Sequence, residues 1–272
     1  MTDILVDGLA FAEGPRWRDG RLYFSDVPAG KVHTVDMDGR VETVAEIDGG
    51  PSGLGWLSDG TLLIARGTPA AIVRADGSVY ADLSEVATFP CNDMIVWNDR
   101  VFVGTCDIAG IPAPADTQLI EVDPDGKVHV VDGEMHFPNG PVVTPDGSTL
   151  IVAETFGQGL KAFDVSGDGP ARNKRQWATV DGSVPDGICL DAEGAVWYAD
   201  AIGQSVVRVR EGGDVVERIA TEQPCFACTL GGPDMTTLFV ITGAFVAPEE
   251  NLRNRPGRIE RYQVEVPGTG SP

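Results

Sequence analysis

A polar turn followed by a short apolar strand recurs along the chain. The copies are Asp19-Gly20-Arg21-Leu22-Tyr23-Phe24, Asp59-Gly60-Thr61-Leu62-Leu63-Ile64, Asp99-Arg100-Val101-Phe102-Val103, Asp146-Gly147-Ser148-Thr149-Leu150-Ile151, Glu193-Gly194-Ala195-Val196-Trp197-Tyr198 and Asp234-Met235-Thr236-Thr237-Leu238-Phe239, spaced by 40, 40, 47, 47 and 41 residues. Most are followed by another alternating run and a second turn, as in Lys31 to Asp36 before Asp38-Gly39, which is a hairpin signal. About four strands fit each unit, which matches a propeller blade, and six units lie within the range that such rings use. The pattern predicts an all-β fold: a six-bladed β-propeller over residues 1–272 as one domain.

The last unit shows three strands, around Cys225 to Leu230, Thr237 to Thr242 and Arg258 to Val266. Ile4-Leu5-Val6 is the expected fourth, which would close the ring and cover its edges. The longer third and fourth units are expected to carry loops around Ile108 to Thr117 and Ser166 to Lys174.

Composition narrows the partners. Thirty-four glycines and 19 prolines are too many breakers for a helical bundle. Twenty Lys and Arg against 41 Asp and Glu give a formal charge of −21, which repels phosphate backbones and anionic lipid, so neither nucleic acid nor a membrane is an expected partner. The start carries no basic and apolar leader, and no apolar run approaches the roughly 20 residues that span a bilayer, so the expected location is cytoplasmic. Five cysteines, an odd count, are expected to be free thiols.

Propeller function concentrates near the central channel, where the innermost strand of each blade faces the axis. Six or seven residues before each turn stand Glu13, Ser52, Asn92, Asn139, Asp186 and Ala227, followed by Gly14, Gly53, Asp93, Gly140, Gly187 and Cys228. Equivalent positions converge on one axis, so Glu13, Asn92, Asn139 and Asp186 are candidates for a metal site. Two carboxylates and two amides, without His or Cys, favour a hard divalent cation such as Ca²⁺. The plainer alternative is that Asn-Gly and Asp-Gly serve only as turn dipeptides.

Other motifs carry less. Asp164-x-Ser166-x-Asp168-Gly169 opens like an EF-hand loop, but position 12 is Arg175 instead of Glu. Gly53-Leu54-Gly55 leads into a strand, not a helix, which excludes a dinucleotide fingerprint. The C-x-x-C of Cys225 and Cys228 lacks a second pair for zinc, and Ser52 has no identifiable base partner. His33 and His129 lie in strand runs, and the tryptophans are expected to pack blades. His136, three residues before Asn139, is a candidate to orient substrate or shuttle a proton.

Ala12-Glu13-Gly14-Pro15 with Trp17, Leu22-Tyr23-Phe24-Ser25-Asp26, Asn92-Asp93, Pro138-Asn139-Gly140, Pro185-Asp186-Gly187 and Leu230-Gly231-Gly232-Pro233-Asp234 together resemble the senescence marker protein/gluconolactonase family, also called regucalcin-like. The resemblance covers nearly the whole chain. It implies a six-bladed propeller holding one divalent cation, Ca²⁺ foremost with Zn²⁺, Mn²⁺ or Mg²⁺ as alternatives, and metal-dependent hydrolysis of a small lactone or ester. Carried over by position, Glu13, Asn139 and Asp186 are the metal ligands, Asn92 is a substrate contact or fourth ligand, and Asp186 is also the general base, with direct attack by its carboxylate as the alternative role. The chain departs from sugar-lactonase members at Pro90, where they have an arginine that grips substrate hydroxyls, so a less polar lactone or ester is expected. A non-catalytic cation-binding or ligand-sensing propeller, or a phosphoester or organophosphate hydrolase, are the competing functions.

Overall fold

The central strands are apolar at consecutive positions because each is sandwiched between two neighbouring blades. Along Leu62–Arg66, Ile64 packs with Val32 and Leu54 on one side, while Leu63 and Ala65 pack with Met94 and Val101 on the other. Thr149–Glu154 repeats this, with Leu150 and Val152 facing one neighbour and Ile151 and Ala153 the next. Six apolar clusters result, each filling one interface between adjacent blades. The period-2 alternation of a strand thus directs side chains to alternate neighbours instead of to core and solvent.

The computed structural model, which describes residues 3–111, 114–157, 159–165 and 169–270, contains six four-stranded antiparallel sheets. Their innermost strands are Ala12–Arg18, Pro51–Trp56, Cys91–Trp97, Pro138–Val143, Pro185–Leu190 and Cys225–Gly231, and each touches the next around a ring. The expected six-bladed propeller is therefore present. Closure is also as expected: Asp3–Leu9 pairs with Gly257–Gln263 as the outer strand of the sixth blade. Arg261 bonds Asp3 at 2.9 Å across this seam, and Leu5 and Leu9 are buried in it. The tail docks on the fifth blade through a bridge between Asp191 and Gly268.

A short helix, Pro248–Asn254, follows the second strand of the sixth blade. No helix among the described residues is long and apolar enough to cross a membrane. All five cysteines are free and buried. Burial pushes the Cys91 and Cys225 thiols up to about 12, the state of packing thiols rather than nucleophiles. Cys225 Sγ donates to the Ser205 carbonyl at 2.8 Å, as expected for a C-x-x-C that is part of the packing. The EF-hand-like opening falls partly on residues 166–168, outside the described residues.

Candidate functional site

All six inner strands carry a bulge near their start. Pro51 pairs with Arg66 but Leu54 with Ile64; Pro185 pairs with Asp200 but Ile188 with Tyr198. Shifts at the corresponding place occur in the other four blades, each inserting one extra residue. A bulge re-aims side chains locally, and here it acts on Ser52, Asn92, Asn139 and Asp186, with Glu13 at the start of its own shift.

Register corrects one expected equivalence. Cys225 pairs with Thr242 as Pro185 pairs with Asp200 and Cys91 with Thr105, so Phe226, not Ala227, occupies the sixth channel position. The inner strand of this blade has one residue more before its turn, which shifted the alignment based on turn spacing.

Close approach of the strands depends on glycine. A Cβ on Gly187 would stand 2.7 Å from the Cα of Ala227 in the next blade, and one on Gly14 2.7 Å from the Ser52 carbonyl oxygen. Gly187→Ala is expected to push the fifth and sixth blades apart and lower stability by about 1–3 kcal/mol. Thermal melting checks this, and an unchanged melting temperature would contradict the tight contact between the two blades.

A directed run of hydrogen bonds links the channel residues. Ser52 Oγ donates to Asn92 Oδ1 at 3.4 Å, and Asn92 Nδ2 donates to Asn139 Oδ1 at 3.2 Å. Asn139 Nδ2 then donates to Thr155 Oγ1 at 3.2 Å, and that hydroxyl donates to the Pro185 carbonyl at 2.9 Å. Four blades are thereby tied together, and both amides are oriented. Ser25 Oγ, in the first blade, donates to the Ser52 carbonyl at 2.6 Å. Glu13, Ser52, Asn139 and Asp186 are buried, whereas Asn92 is half-buried, which suits contact with a ligand entering from solvent.

Three buried acids interact here. Burial raises the Glu13 carboxyl well above its usual range, and Asp186 and then Asp93 raise it further. Asp186 is raised by burial and by Asp93, against the Asn139 amide, which favours its charge. Asp93 is raised by burial and opposed by Arg16, which stands 3.7 Å away. Arg16 extends from the first blade to the third, where it also donates to the Met94 carbonyl. With all four ionised, three carboxylates against one guanidinium leave two negative charges, the complement of one divalent cation.

The donor set fits a hard divalent cation. Among the described residues no three His, Cys, Asp or Glu side chains are grouped to hold a metal, so such an ion would rely on Glu13 and Asp186 with the amide oxygens of Asn139 and Asn92. Asp93, Arg16 and Thr155 were not identified as site residues from sequence. Asp93 carried a signal, an acid where most other blades have glycine; Arg16 and Thr155 carried none.

His136 lies at the same end, exposed, with Nδ1 2.8 Å from Asp116. Its backbone N–H donates to the buried carboxylate of Glu154 at 2.9 Å. The following residue, Phe137, has a left-handed φ of 67°, an uncommon conformation for a bulky side chain and one found at functional sites. His33 and His129 lie in strands, as expected, on the third strand of the first blade and the fourth strand of the third. Two open cavities, the larger about 490 Å³, lie at the opposite end of the channel, beside Arg18, Trp56, Trp97 and Gly270. Neither contains the clustered acids.

A six-bladed propeller with an oxygen-rich, acidic cluster where its inner strands converge defines the class. Residues 11–244 match the model of the SMP-30/Gluconolactonase/LRE-like region, and the chain belongs to that family. It is 27% identical to a 6-deoxy-6-sulfogluconolactonase of Pseudomonas putida, over 96% of this chain and 93% of that protein. Identity to a pentonolactonase of Haloferax volcanii is also 27%, over 100% and 96% of the two chains. A solved calcium-binding protein, regucalcin, from Agrobacterium tumefaciens shares the fold with a TM-score of 0.83 at 20% identity, covering 100% of this chain and 96% of that one.

Proposed function

We propose that this chain is a divalent-metal-dependent lactonase, with Ca²⁺ the cation its oxygen donors favour. The observation that carries this reading is the placement of Glu13 and Asp186 within mutual influence, both buried, beside two oriented amides. Family membership and the two lactonase relatives support the same chemistry. A cation held by Glu13, Asn139, Asp186 and Asn92 would supply carbonyl polarisation and a more acidic water.

Asp186 takes a proton from the attacking water as its oxygen bonds to the lactone carbonyl carbon. When the ring C–O bond breaks, the leaving oxygen receives that proton, giving a hydroxy acid. The Asn92 amide, with a second N–H beyond the one given to Asn139, holds the substrate near the carbonyl. His136, its Nδ1 fixed by Asp116, contacts the substrate at the mouth and passes protons to solvent. Pro90 supplies no charged grip for sugar hydroxyls, which supports a less polar lactone or ester.

The test is proton release from sugar-derived, aliphatic and aromatic lactones by chelator-stripped protein refilled in turn with Ca²⁺, Mg²⁺, Mn²⁺ and Zn²⁺. Turnover that is lost on stripping and restored by a cation is expected. Stoichiometric cation uptake without turnover of any lactone would replace this reading with a binding propeller.

A further inference from the structure

The ring of channel positions is divided in polarity. Five blades contribute Glu13, Ser52, Asn92, Asn139 and Asp186, whereas the sixth contributes Phe226. Its ring lies 4.7 Å from that of Phe11, two residues before Glu13, and 6.4 Å from that of Phe245. Phe226 is buried, while Phe245 is 58% exposed, so the cluster runs from the channel wall out to solvent.

The exposed part lies at the mouth beside the acids. The Gly243 N–H donates to the Pro224 carbonyl at 3.0 Å, and the Ala201 N–H to the Val184 carbonyl at 3.0 Å, which pins both loops beside the starts of the fifth and sixth inner strands. These loops present Ile202, Phe245 and Val246, three large apolar side chains left open to solvent. Across the mouth, the second to fourth blades offer Ser52, Asn92, Asn139 and the His136–Asp116 pair, with Ile108 on the loop of the third blade the one large apolar side chain exposed there among the described residues.

We infer that the Phe11–Phe226–Phe245 wall receives an apolar alkyl or aryl substituent of the lactone, and that Phe226 and Phe245 determine specificity. This rests on the lactonase reading and narrows it. The polar half of the site aligns the ester group, and the aromatic half binds what projects from the ring. Continuity of the wall with the Glu13 strand makes it part of the same site, and water released from the exposed Phe245 and the half-buried Phe11 favours the longer substituent, with Phe226 backing both rings.

The experiment uses cation-loaded protein and γ-lactones from the unsubstituted ring to a hexyl substituent. In the wild type kcat/KM is expected to rise about two- to fourfold per added methylene before levelling, and to exceed that for an aldonolactone. In Phe245→Ala the ratio of kcat/KM for the longest to the shortest member should fall at least tenfold. A flat series, or preference for the aldonolactone, overturns the proposal. Calorimetry with the matching alkyl pyrrolidinones, which are not hydrolysed, separates the two readings. Affinity that rises with chain length and loses this slope in Phe245→Ala supports the wall even if no lactone is opened; chain-length-independent affinity overturns it even if the protein is a lactonase.

Discussion

Replacing Asp186 by Asn is expected to lower kcat/KM about 10³-fold or more toward any lactone that the wild type opens, the scale of a lost general base, while the propeller stays folded. Asn has the shape of Asp, so the bulge and the contact between Gly187 and Ala227 can persist. It lacks the charge that burial and Asp93 disfavour. The metal-free variant should therefore melt at or above the wild-type temperature, while added cation stabilises it less. Pre-steady-state proton release, melting curves with chelator and with cation, and direct cation titration resolve these effects. An active variant would remove Asp186 from the base role. An inactive variant that is also unfolded without cation would assign the residue to the structure instead.

Removing residues 1–9 is expected to abolish stable folding. The strand Asp3–Leu9 fills the outer edge of the sixth blade, and its loss would expose the backbone of Gly257–Gln263. Leu5 and Leu9 would leave the cluster that joins the first and sixth blades, and Arg255 would lose the Gly8 carbonyl, now 2.6 Å away. Each buried leucine is worth about 2–5 kcal/mol, so both together, about 4–10 kcal/mol, reach into the range of about 5–15 kcal/mol that keeps most domains folded. Leu5→Ala, a milder variant, should lower the denaturant midpoint without changing its slope. A truncated protein with the wild-type midpoint would show that the ring does not depend on this closure.

The fold was legible because the turn and strand recur six times and each blade repeats one packing problem. The closing strand was legible too, since a blade with three strands leaves an open edge. The convergence of Glu13, Asn139 and Asp186 was legible because they stand at matching positions of their blades. Phe226 was missed because turn spacing served as the ruler, and its inner strand is one residue longer there. Arg16 was missed because its partners, Met94 and Asp93, lie two blades away. Spacing along a strand cannot disclose which distant residue a long side chain reaches. Asp116 was hidden for the same reason, being tied to His136 only through tertiary placement.

The alternation that sends Leu63 to one neighbour and Ile64 to the other governs how the molecule comes apart. A linear array of repeats can fray from its ends, since each terminal unit has one partner. Here every blade has two, and releasing one would strip apolar faces from both sides at once. Local opening of a single blade is accordingly costly all round the ring, the seam included, since detaching its outer strand withdraws Leu5 and Leu9 from the interface of the first and sixth blades. Backbone amides of Asp3–Leu9 and its partner strand are therefore expected to exchange, like those lining the channel, only through opening of the whole ring.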